Sequence, residues 1–97
     1  MIVSFKDEGT RDVWYDKDTR AARQTCPTEI WPMAKKKLDV LDRAESLRDL
    51  ALPLGNGLER LKGDRAGQHS VRINRQYRIC FRWTSEGPTR VEIVDYH

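Results

Sequence analysis

Three stretches in the second half of the sequence alternate apolar and polar residues and follow one another with only short breaks. They cover residues 68–74, 77–84 and 89–95, and a shorter stretch at 58–62 precedes them. A period of two is typical of strands with one buried face, and connections this short join antiparallel neighbours. The turns are predicted at 63–67, 74–76 and 85–88, where glycine, proline, asparagine and serine collect. The pattern therefore predicts an antiparallel meander that needs a second layer over its apolar face.

The first half of the sequence supplies helices for that second layer. Residues 2–5 are β-prone and are predicted to form a short first strand. Residues 7–15 are predicted to form a short helix, because Asp7 and Glu8 in its first turn suit the positive end of a helix. Residues 17–27 have no clear period and are predicted to be a loop, with a helical turn at 19–24 as the alternative.

The most regular helical pattern ends near Ala44 or Glu45 and places Ala34, Leu38 and Leu41 on one face. It starts either after Thr28, which can cap a helix, or at Pro32, since proline is favoured in a first turn. One further turn is expected at 46–50. The prediction is an α+β fold in one domain over residues 1–97, with two N-terminal helices packed on an antiparallel-dominated, twisted sheet of about four to five strands.

The alternation also assigns side chains to the two faces of the sheet. The face covered by the helices is expected to hold Val71, Ile79, Phe81 and Ile93. The open face is expected to hold Arg72, Arg78, Arg82 and Tyr96. His69 falls on the helix side and is expected at the surface or edge, or as a partly buried histidine whose hydrogen bonds are satisfied.

Positive charge is concentrated in the same part of the chain. The net charge is +3 overall, yet residues 58–82 contain seven arginines and lysines against two acidic residues, which leaves the rest of the chain net negative. Such a local excess suggests a polyanion or an acidic protein as partner.

The sequence has no run of roughly 18 apolar residues and no apolar segment typical of a signal peptide near Met1. Cys26 and Cys80 lack metal-ligand spacing, which favours reduced thiols in a cytoplasm.

The residue types near the end of the sequence fit RNA cleavage by attack of the 2′-hydroxyl group. That reaction needs a base, cations to stabilise the charge on phosphorus, and an acid for the leaving 5′ oxygen. His97 titrates near neutrality, Lys62 and Arg78 could clamp phosphate, and Tyr96 could stack on a base or donate its hydroxyl. The alternatives are a frayed tail at Asp95-Tyr96-His97 and a solvated arginine face. No metal cluster, phosphate-binding glycine loop or nucleophile elbow is present in the sequence.

Several segments of the sequence, in order, resemble the HigB toxins, a branch of the RelE-like superfamily of bacterial type II toxin–antitoxin systems. They are Ile2-Val3-Ser4-Phe5-Lys6, Leu61-Lys62-Gly63-Asp64-Arg65-Ala66-Gly67-Gln68, Ser70-Val71-Arg72-Ile73-Asn74, Tyr77-Arg78-Ile79-Cys80-Phe81-Arg82 and Asp95-Tyr96-His97. The resemblance implies an mRNA endonuclease that works in the ribosomal A site of a bacterial cytoplasm without a metal or other cofactor. It also implies neutralisation by a HigA-like helix-turn-helix antitoxin, through which the pair would bind operator DNA and repress its own operon.

The resemblance also implies which residues form the site. Carried over by motif, Lys62, Arg78, Asp95, Tyr96 and His97 would be catalytic. Glu59 is a further catalytic candidate at a position where this chain departs from the family, and Arg65, Arg72 and Arg82 in the basic part of the chain are expected to bind RNA. Some family members have a histidine where this chain has Glu59, so the general base is either Glu59 or His97 acting alone, and reduced activity is a third reading. The rival hypotheses are a non-catalytic protein that blocks translation by occupancy and a small nucleic-acid chaperone unrelated to toxicity.

Overall fold

The four strands of the sheet lie in chain order, and each is antiparallel to the next. The structure is a computed structural model that describes residues 1–96. Its helices are α1 (Glu8–Trp14), α2 (Arg20–Thr25), α3 (Trp31–Arg43) and α4 (Leu47–Ala51). Its strands are β1 (Glu59–Arg60), β2 (His69–Arg72), β3 (Tyr77–Thr84) and β4 (Gly87–Asp95). The predicted α+β meander is confirmed, although β1 is only two residues long instead of five.

Side-chain caps begin the first two helices. The carboxylate of Asp7 accepts a hydrogen bond from Thr10 N at 2.7 Å, and Thr19 Oγ1 accepts one from Ala22 N at 3.1 Å. Each cap satisfies one of the backbone N–H groups that have no partner inside the helix. Thr19 also donates to the buried carboxylate of Asp12 at 2.6 Å, which joins α1 to α2. The predicted loop at 17–27 is therefore wrong for most of its length, and the helical alternative is confirmed.

The helix α3 begins at Trp31 with Pro32 in its first turn, where the missing N–H costs nothing. Of the two predicted starts, the one at Pro32 is confirmed to within one residue. Leu38 and Leu41 are fully buried on the inner face of this helix, as the period indicated. The expected turn at 46–50 is the short helix α4, whose Leu50 is also fully buried.

The core lies between the helices and one face of the sheet. α1 and α3 pack against that face, while α2 packs against α1. Val71, Ile79, Phe81 and Ile93 are all buried there, so the predicted face assignment is confirmed. Residues 1–96 contain four α-helices rather than the two predicted, because two stretches without a long helical period are each held by their caps. Among residues 1–96, no helix has the length and apolar character needed to cross a bilayer.

The first residues run parallel to β4 but do not form the predicted strand at 2–5. Their regular pairing is confined to a single bridge between Phe5 and Val91. Val3 N donates to Pro88 O at 2.8 Å, but proline has no N–H to return that bond. Two residues further along β4, Arg90 N donates to the Ser4 side chain at 2.9 Å instead of to a backbone oxygen. These two departures interrupt the ladder.

The buried thiol of Cys26 predicts a loss of stability at alkaline pH. Burial raises its pKa from 9.0 to about 11, while a contact with Trp31 acts in the opposite direction. Because the folded state keeps this proton longer than the unfolded state, its stabilising contribution is complete below about pH 9 and lost as the pH rises to about 11. Urea denaturation across that range should therefore show a steeper fall in unfolding free energy for the native chain than for Cys26→Ala. Equal slopes in the two proteins would contradict the assignment.

Candidate active site

The register of the strands places two rows of side chains on the sheet face opposite the helices. One row consists of Glu59, Ser70, Cys80 and Glu92, each directly opposite the next across the sheet. The second row consists of Arg72, Arg78 and Val94. Residues directly opposite each other on neighbouring strands share a face, so both rows line the same surface. The register therefore brings together three predicted site residues of β1, β2 and β3, namely Glu59, Arg72 and Arg78.

A cavity of about 370 Å³ lies at the second row. It is lined by Glu59, Arg72, Asn74, Arg75, Arg78 and Tyr96. A neighbouring cavity of about 420 Å³ is lined by Arg65, Val94, Asp95 and Tyr96. Tyr96 lines both, so the two cavities adjoin at this residue. The two adjoining cavities form a polar, predominantly cationic site. Their lining includes four guanidinium groups, two carboxylates and one phenol.

Arg78 lies on the predicted face but is not open to solvent. Only 7 % of the residue is exposed. Its Nε donates to Ser70 Oγ at 2.7 Å, and its Nη2 donates to the carbonyl oxygens of Ser70 and Gly57. Its Nη1 lies 3.8 Å from the Glu59 carboxylate. The expectation of an open arginine face is therefore wrong at this residue, because the guanidinium is covered and holds protein groups.

The segment that covers Arg78 follows the helix α4. Asn56 in this segment is buried and donates to the carbonyl oxygens of Leu50 and Leu52, while Lys37 donates to its side-chain oxygen at 2.9 Å. Gly57 has a φ of +57° and lies so close to Arg72 that a Cβ would come within 3.3 Å of the Arg72 Cβ. Both features favour glycine at this position, and the hydrogen bonds of Asn56 fix the segment on the sheet.

Tyr96 extends over the first row and lies near Cys80. Burial raises the pKa of its hydroxyl, the Cys80 thiol adds to this, and Arg65 and Arg78 act in the opposite direction. The pKa of Cys80 is raised chiefly by burial, and Arg65 and the Tyr96 hydroxyl oppose that effect. The phenol thus remains protonated at neutral pH. It can donate a hydrogen bond within electrostatic reach of two guanidinium groups.

The turn between β2 and β3 holds the residues that precede His97. Gln76 Nε2 donates to the Asp95 carboxylate at 3.0 Å, and Tyr96 N donates to Gln76 O at 2.7 Å. Asn74 fixes the same turn, since its side-chain oxygen accepts from Gln76 N and Tyr77 N. Asp95 and Tyr96 are therefore anchored, and the alternative of a frayed tail is wrong for both. His97 lies outside the described residues, and its role stays a prediction.

The other predicted cations differ in how they are held. Arg65 donates to Glu92 at 2.8 Å and to Gln68 at 3.1 Å, and the bond to Glu92 is the main reason that its pKa is raised. Arg82 is exposed and packs against Gly67, where a Cβ would come within 2.6 Å of its Nη1. Lys62 is exposed just before a 3-10 turn at Gly63–Arg65. Lys62 and Arg82 line neither cavity.

Sequence reasoning missed Arg75 and Asn74 as lining residues. Asn74 ends the predicted strand at 68–74, where the alternation places it on the same face as Arg72 but does not mark it as a site residue. Arg75 belongs to the turn between β2 and β3, and the alternation gives no information on a turn. The sequence signal that could have identified Arg75 is its position in the turn between two strands that carry Arg72 and Arg78.

His69 lies on the helix side and stacks on Phe81, with ring centroids 6.2 Å apart. Burial, with a smaller effect from Arg60, lowers its pKa. Its Nδ1 is buried and has no hydrogen-bond partner among residues 1–96, so the expectation of a partly buried histidine is confirmed and that of satisfied hydrogen bonds is wrong. It takes no part in the cavity.

Comparisons with known proteins agree on one family. The family profile described as "RelE-like toxin of type II toxin-antitoxin system HigB" matches residues 3–97. Toxin HigB-1 of Vibrio cholerae is 37 % identical over 83 residues, which cover 86 % of this chain and 84 % of that protein. An uncharacterized protein of Haemophilus influenzae is 32 % identical over 57 residues, 59 % of this chain and 56 % of that protein.

Among solved structures, a chain of the YoeB-YefM complex from Staphylococcus aureus superposes with a TM-score of 0.60. The alignment covers 100 % of this chain and 98 % of that one, at 18 % identity, so it shows the fold. The family match over nearly the whole chain and the 37 % identity to a HigB toxin carry the assignment. The chain belongs to the HigB-like family of RelE-like toxins of type II toxin–antitoxin systems.

Proposed function

We propose that this toxin is a ribosome-dependent mRNA endonuclease that stops translation by cutting mRNA in the ribosomal A site. The observation that carries the proposal is the single cavity lined by Glu59, Arg72, Arg78 and Tyr96. It combines groups that can bind phosphate with groups that can accept or donate a proton. These are the requirements of a phosphodiester cleavage that uses no metal.

The proposed reaction is attack of a ribose 2′-oxygen on the adjacent phosphorus. A base removes the 2′-hydroxyl proton as the new oxygen–phosphorus bond forms, and the bond from phosphorus to the 5′ oxygen breaks. An acid protonates that leaving oxygen, so the products are a cyclic 2′,3′-phosphate and a free 5′-hydroxyl. Guanidinium groups stabilise the charge that builds on the phosphoryl oxygens, and a positioned acid or base contributes roughly 10²- to 10⁴-fold.

The roles follow from what each group can do. Tyr96 offers a protonated hydroxyl and an exposed ring that can stack on a base. Asp95, held by Gln76, orients the residues that follow it. Glu59 is half-exposed at the cavity wall, and its carboxylate can accept a proton there. Either Glu59 or His97 is the base, with Lys62 as an additional cation near the RNA.

The proposed protein partner is a HigA-like helix-turn-helix antitoxin that neutralises the toxin in a bacterial cytoplasm. The membership in a toxin–antitoxin family and the complexed state of the YoeB neighbour support a partner of this kind. In this proposal the antitoxin binds operator DNA, and the toxin reaches that DNA only through it.

The second candidate function is inhibition by occupancy, in which the toxin fills the A site without cutting. The contact between Glu59 and Arg78 favours it, because a carboxylate 3.8 Å from Nη1 opposes the approach of a phosphate to that group. The two functions predict the same growth arrest. They differ in whether new RNA ends form.

The test is a purified translation system programmed with a defined mRNA, in which 5′ ends are mapped after the toxin is added. The proposal predicts new 5′-hydroxyl ends within codons that require ribosomes. The chelator 1,10-phenanthroline, which removes transition metals but leaves Mg²⁺ for the ribosome, should not change the rate. Arrested translation without new ends would replace the endonuclease with the occupancy mechanism.

A further inference from the structure

The segment that covers Arg78, residues 52–58, carries one polar side chain, that of Asn56, and only 1 % of this residue is exposed. Its Nδ2 donates to the carbonyl oxygens of Leu50 at 3.3 Å and Leu52 at 3.4 Å. Its Oδ1 accepts from Lys37 Nζ at 2.9 Å. Burying an amide costs free energy unless its polar atoms are paired, and these bonds pair both of them. The amide thereby joins the covering segment to α4, which contains Leu50, and to α3, which contains Lys37.

The next residue, Gly57, contacts two of the arginines that line the cavity. Its carbonyl oxygen accepts a hydrogen bond from Arg78 Nη2. A Cβ at Gly57 would lie 3.3 Å from the Cβ and 3.5 Å from the Nε of Arg72, so the backbone passes directly beside that side chain. Two residues later the chain reaches Glu59, whose carboxylate lies 3.8 Å from Arg78 Nη1 at the cavity wall. The place of Gly57 on the sheet therefore affects three groups around the cavity.

Lys37 is the last of three consecutive lysines on α3, and the three differ in what they bind. Successive residues of an α-helix point about 100° apart, so only one of them can face the covering segment. Lys35 pairs with Asp16. Lys36 is exposed, and its ammonium group has no partner within residues 1–96. Lys37 is half-buried against Asn56, which connects this one lysine of the three to the candidate site.

We propose that Lys37 and Asn56 are positioning residues of the cleavage reaction. Through Gly57 they hold Arg78 and Glu59 in the geometry that the reaction requires. Neither Lys37 nor Asn56 lines the cavity, so neither touches the RNA held there. The inference rests on the proposed function, because it names what keeps the reacting groups of that site in place.

This role predicts a loss in rate without a loss in affinity. A displacement of about 1 Å, caused by a substitution far from the chemistry, can slow a reaction by about 10²-fold. The contacts with RNA stay the same, because the substituted side chains make none of them. A role in stability alone predicts fewer folded molecules, each of which cleaves at the native rate. The rate per folded molecule therefore separates the two roles.

The first measurement is the single-turnover rate of cleavage on programmed ribosomes against toxin concentration, corrected for the folded fraction by urea denaturation. Lys37→Met keeps an unbranched apolar stem and removes the ammonium group. It should lower the maximal rate by roughly 10- to 10²-fold and leave the half-saturating concentration unchanged. Lys37→Arg, which retains donors, should recover most of that rate, whereas Asn56→Ala should lose at least as much as Lys37→Met. The matched control is Lys36→Met, which removes the same charge from the neighbouring exposed position and should cleave at the native rate.

The second measurement does not depend on activity. Arg78 Nε donates to a fully buried hydroxyl group on β2, which protects its N–H from exchange with water. In proton–nitrogen NMR spectra, the Arg78 Nε–H and Gly57 amide signals should shift in Lys37→Met, and the Arg78 Nε–H should exchange faster. The amide of Ile93, which donates to a buried hydroxyl group on α1, should keep its exchange rate. Lys36→Met should leave all three signals at their native positions.

The inference is overturned if Lys37→Met cleaves at the native rate per folded molecule, if Lys36→Met loses as much, or if the loss lies only in the half-saturating concentration. Unchanged Arg78 and Gly57 signals in Lys37→Met would overturn it as well. The proposed function fails separately. A wild-type toxin that makes no cuts on ribosomes removes the endonuclease, and the NMR comparison still decides whether Lys37 positions Arg78.

Discussion

Replacing Arg78 by alanine is expected to lower the free energy of unfolding by roughly 2–4 kcal/mol, because a buried acceptor left without a donor costs about 1–3 kcal/mol. The substitution removes the donors to Ser70 Oγ and to the Gly57 carbonyl, and Ser70 is fully buried. It also frees the segment that covers this face of the sheet. Arg78→Lys should recover part of the loss, since an ammonium group can replace some of these donors but not the whole fork.

The matched control is Arg72→Ala, which removes the same charge from the position directly opposite Arg78. Arg72 is exposed and should change stability by no more than about 0.5 kcal/mol. Urea denaturation of the three variants gives the comparison. If Arg78→Ala and Arg72→Ala have the same small effect, the guanidinium of Arg78 is not structural.

This result bears on how toxicity data are interpreted. The sequence singles out Arg78 as a phosphate clamp, so a loss of growth inhibition in Arg78→Ala invites interpretation as a loss of chemistry. With Arg78 buried, a non-toxic Arg78→Ala variant reports a loss of folded toxin as readily as a loss of chemistry. The exposed residues of the same cavity, Arg72 and Arg75, are better tests of the chemistry.

The sequence predicted the sheet well because its strands carry a strong period of two. β3 has the predicted bounds, and the side of each strand that faces the helices is as expected. The helices α2 and α4 were harder to predict, since a helix of five or six residues contains too few turns to show a period. Their starts at Thr19 and Ser46 depend on caps, which are local and easily mistaken for turns.

The candidate site was predicted in part, for a related reason. Alternation places Arg78 on a face but does not say what covers that face. The covering segment is built around Asn56 and Gly57, whose contacts follow no period. From residue type alone, Lys62 and Arg82 were expected to bind RNA, as was Arg72. The structure shows that Arg72 lines the cavity and that Lys62 and Arg82 do not, a difference that depends on the path of the turns. Arg75 was missed because it sits in such a turn.

Replacing His97 by glutamine is expected to lower the rate of ribosome-dependent cleavage by roughly 10²- to 10⁴-fold, the range for one positioned acid or base. Glutamine keeps a polar side chain but cannot carry the proton. Stability should change little, because Gln76 anchors both Asp95 and Tyr96. The measurement is the single-turnover rate of cleavage on programmed ribosomes, with urea denaturation as the control for folding.

Substitutions of Tyr96 in the same assay distinguish proton donation by the hydroxyl from stacking of the aromatic ring. Tyr96→Phe keeps the aromatic ring of a residue that lines both cavities and removes the hydroxyl. A loss in rate with unchanged RNA affinity would assign proton donation to that hydroxyl, whereas Tyr96→Ala should also weaken binding by roughly 1–3 kcal/mol through lost stacking. If Tyr96→Phe cleaves at the native rate, the phenol acts through its ring alone.

The pH dependence then decides between the two candidate bases. An imidazole base loses its proton as the pH rises through the region near roughly 6–7, so the wild-type rate should rise there and level off above it. If His97 is the base, His97→Gln abolishes that rise and Glu59→Gln retains it. If Glu59 is the base, Glu59→Gln causes the large loss in cleavage rate instead. The same substitution also removes the negative charge that lies 3.8 Å from Nη1 of Arg78. A Glu59→Gln variant that binds RNA more tightly and cuts at least as fast would show that this carboxylate opposes the substrate rather than activating it.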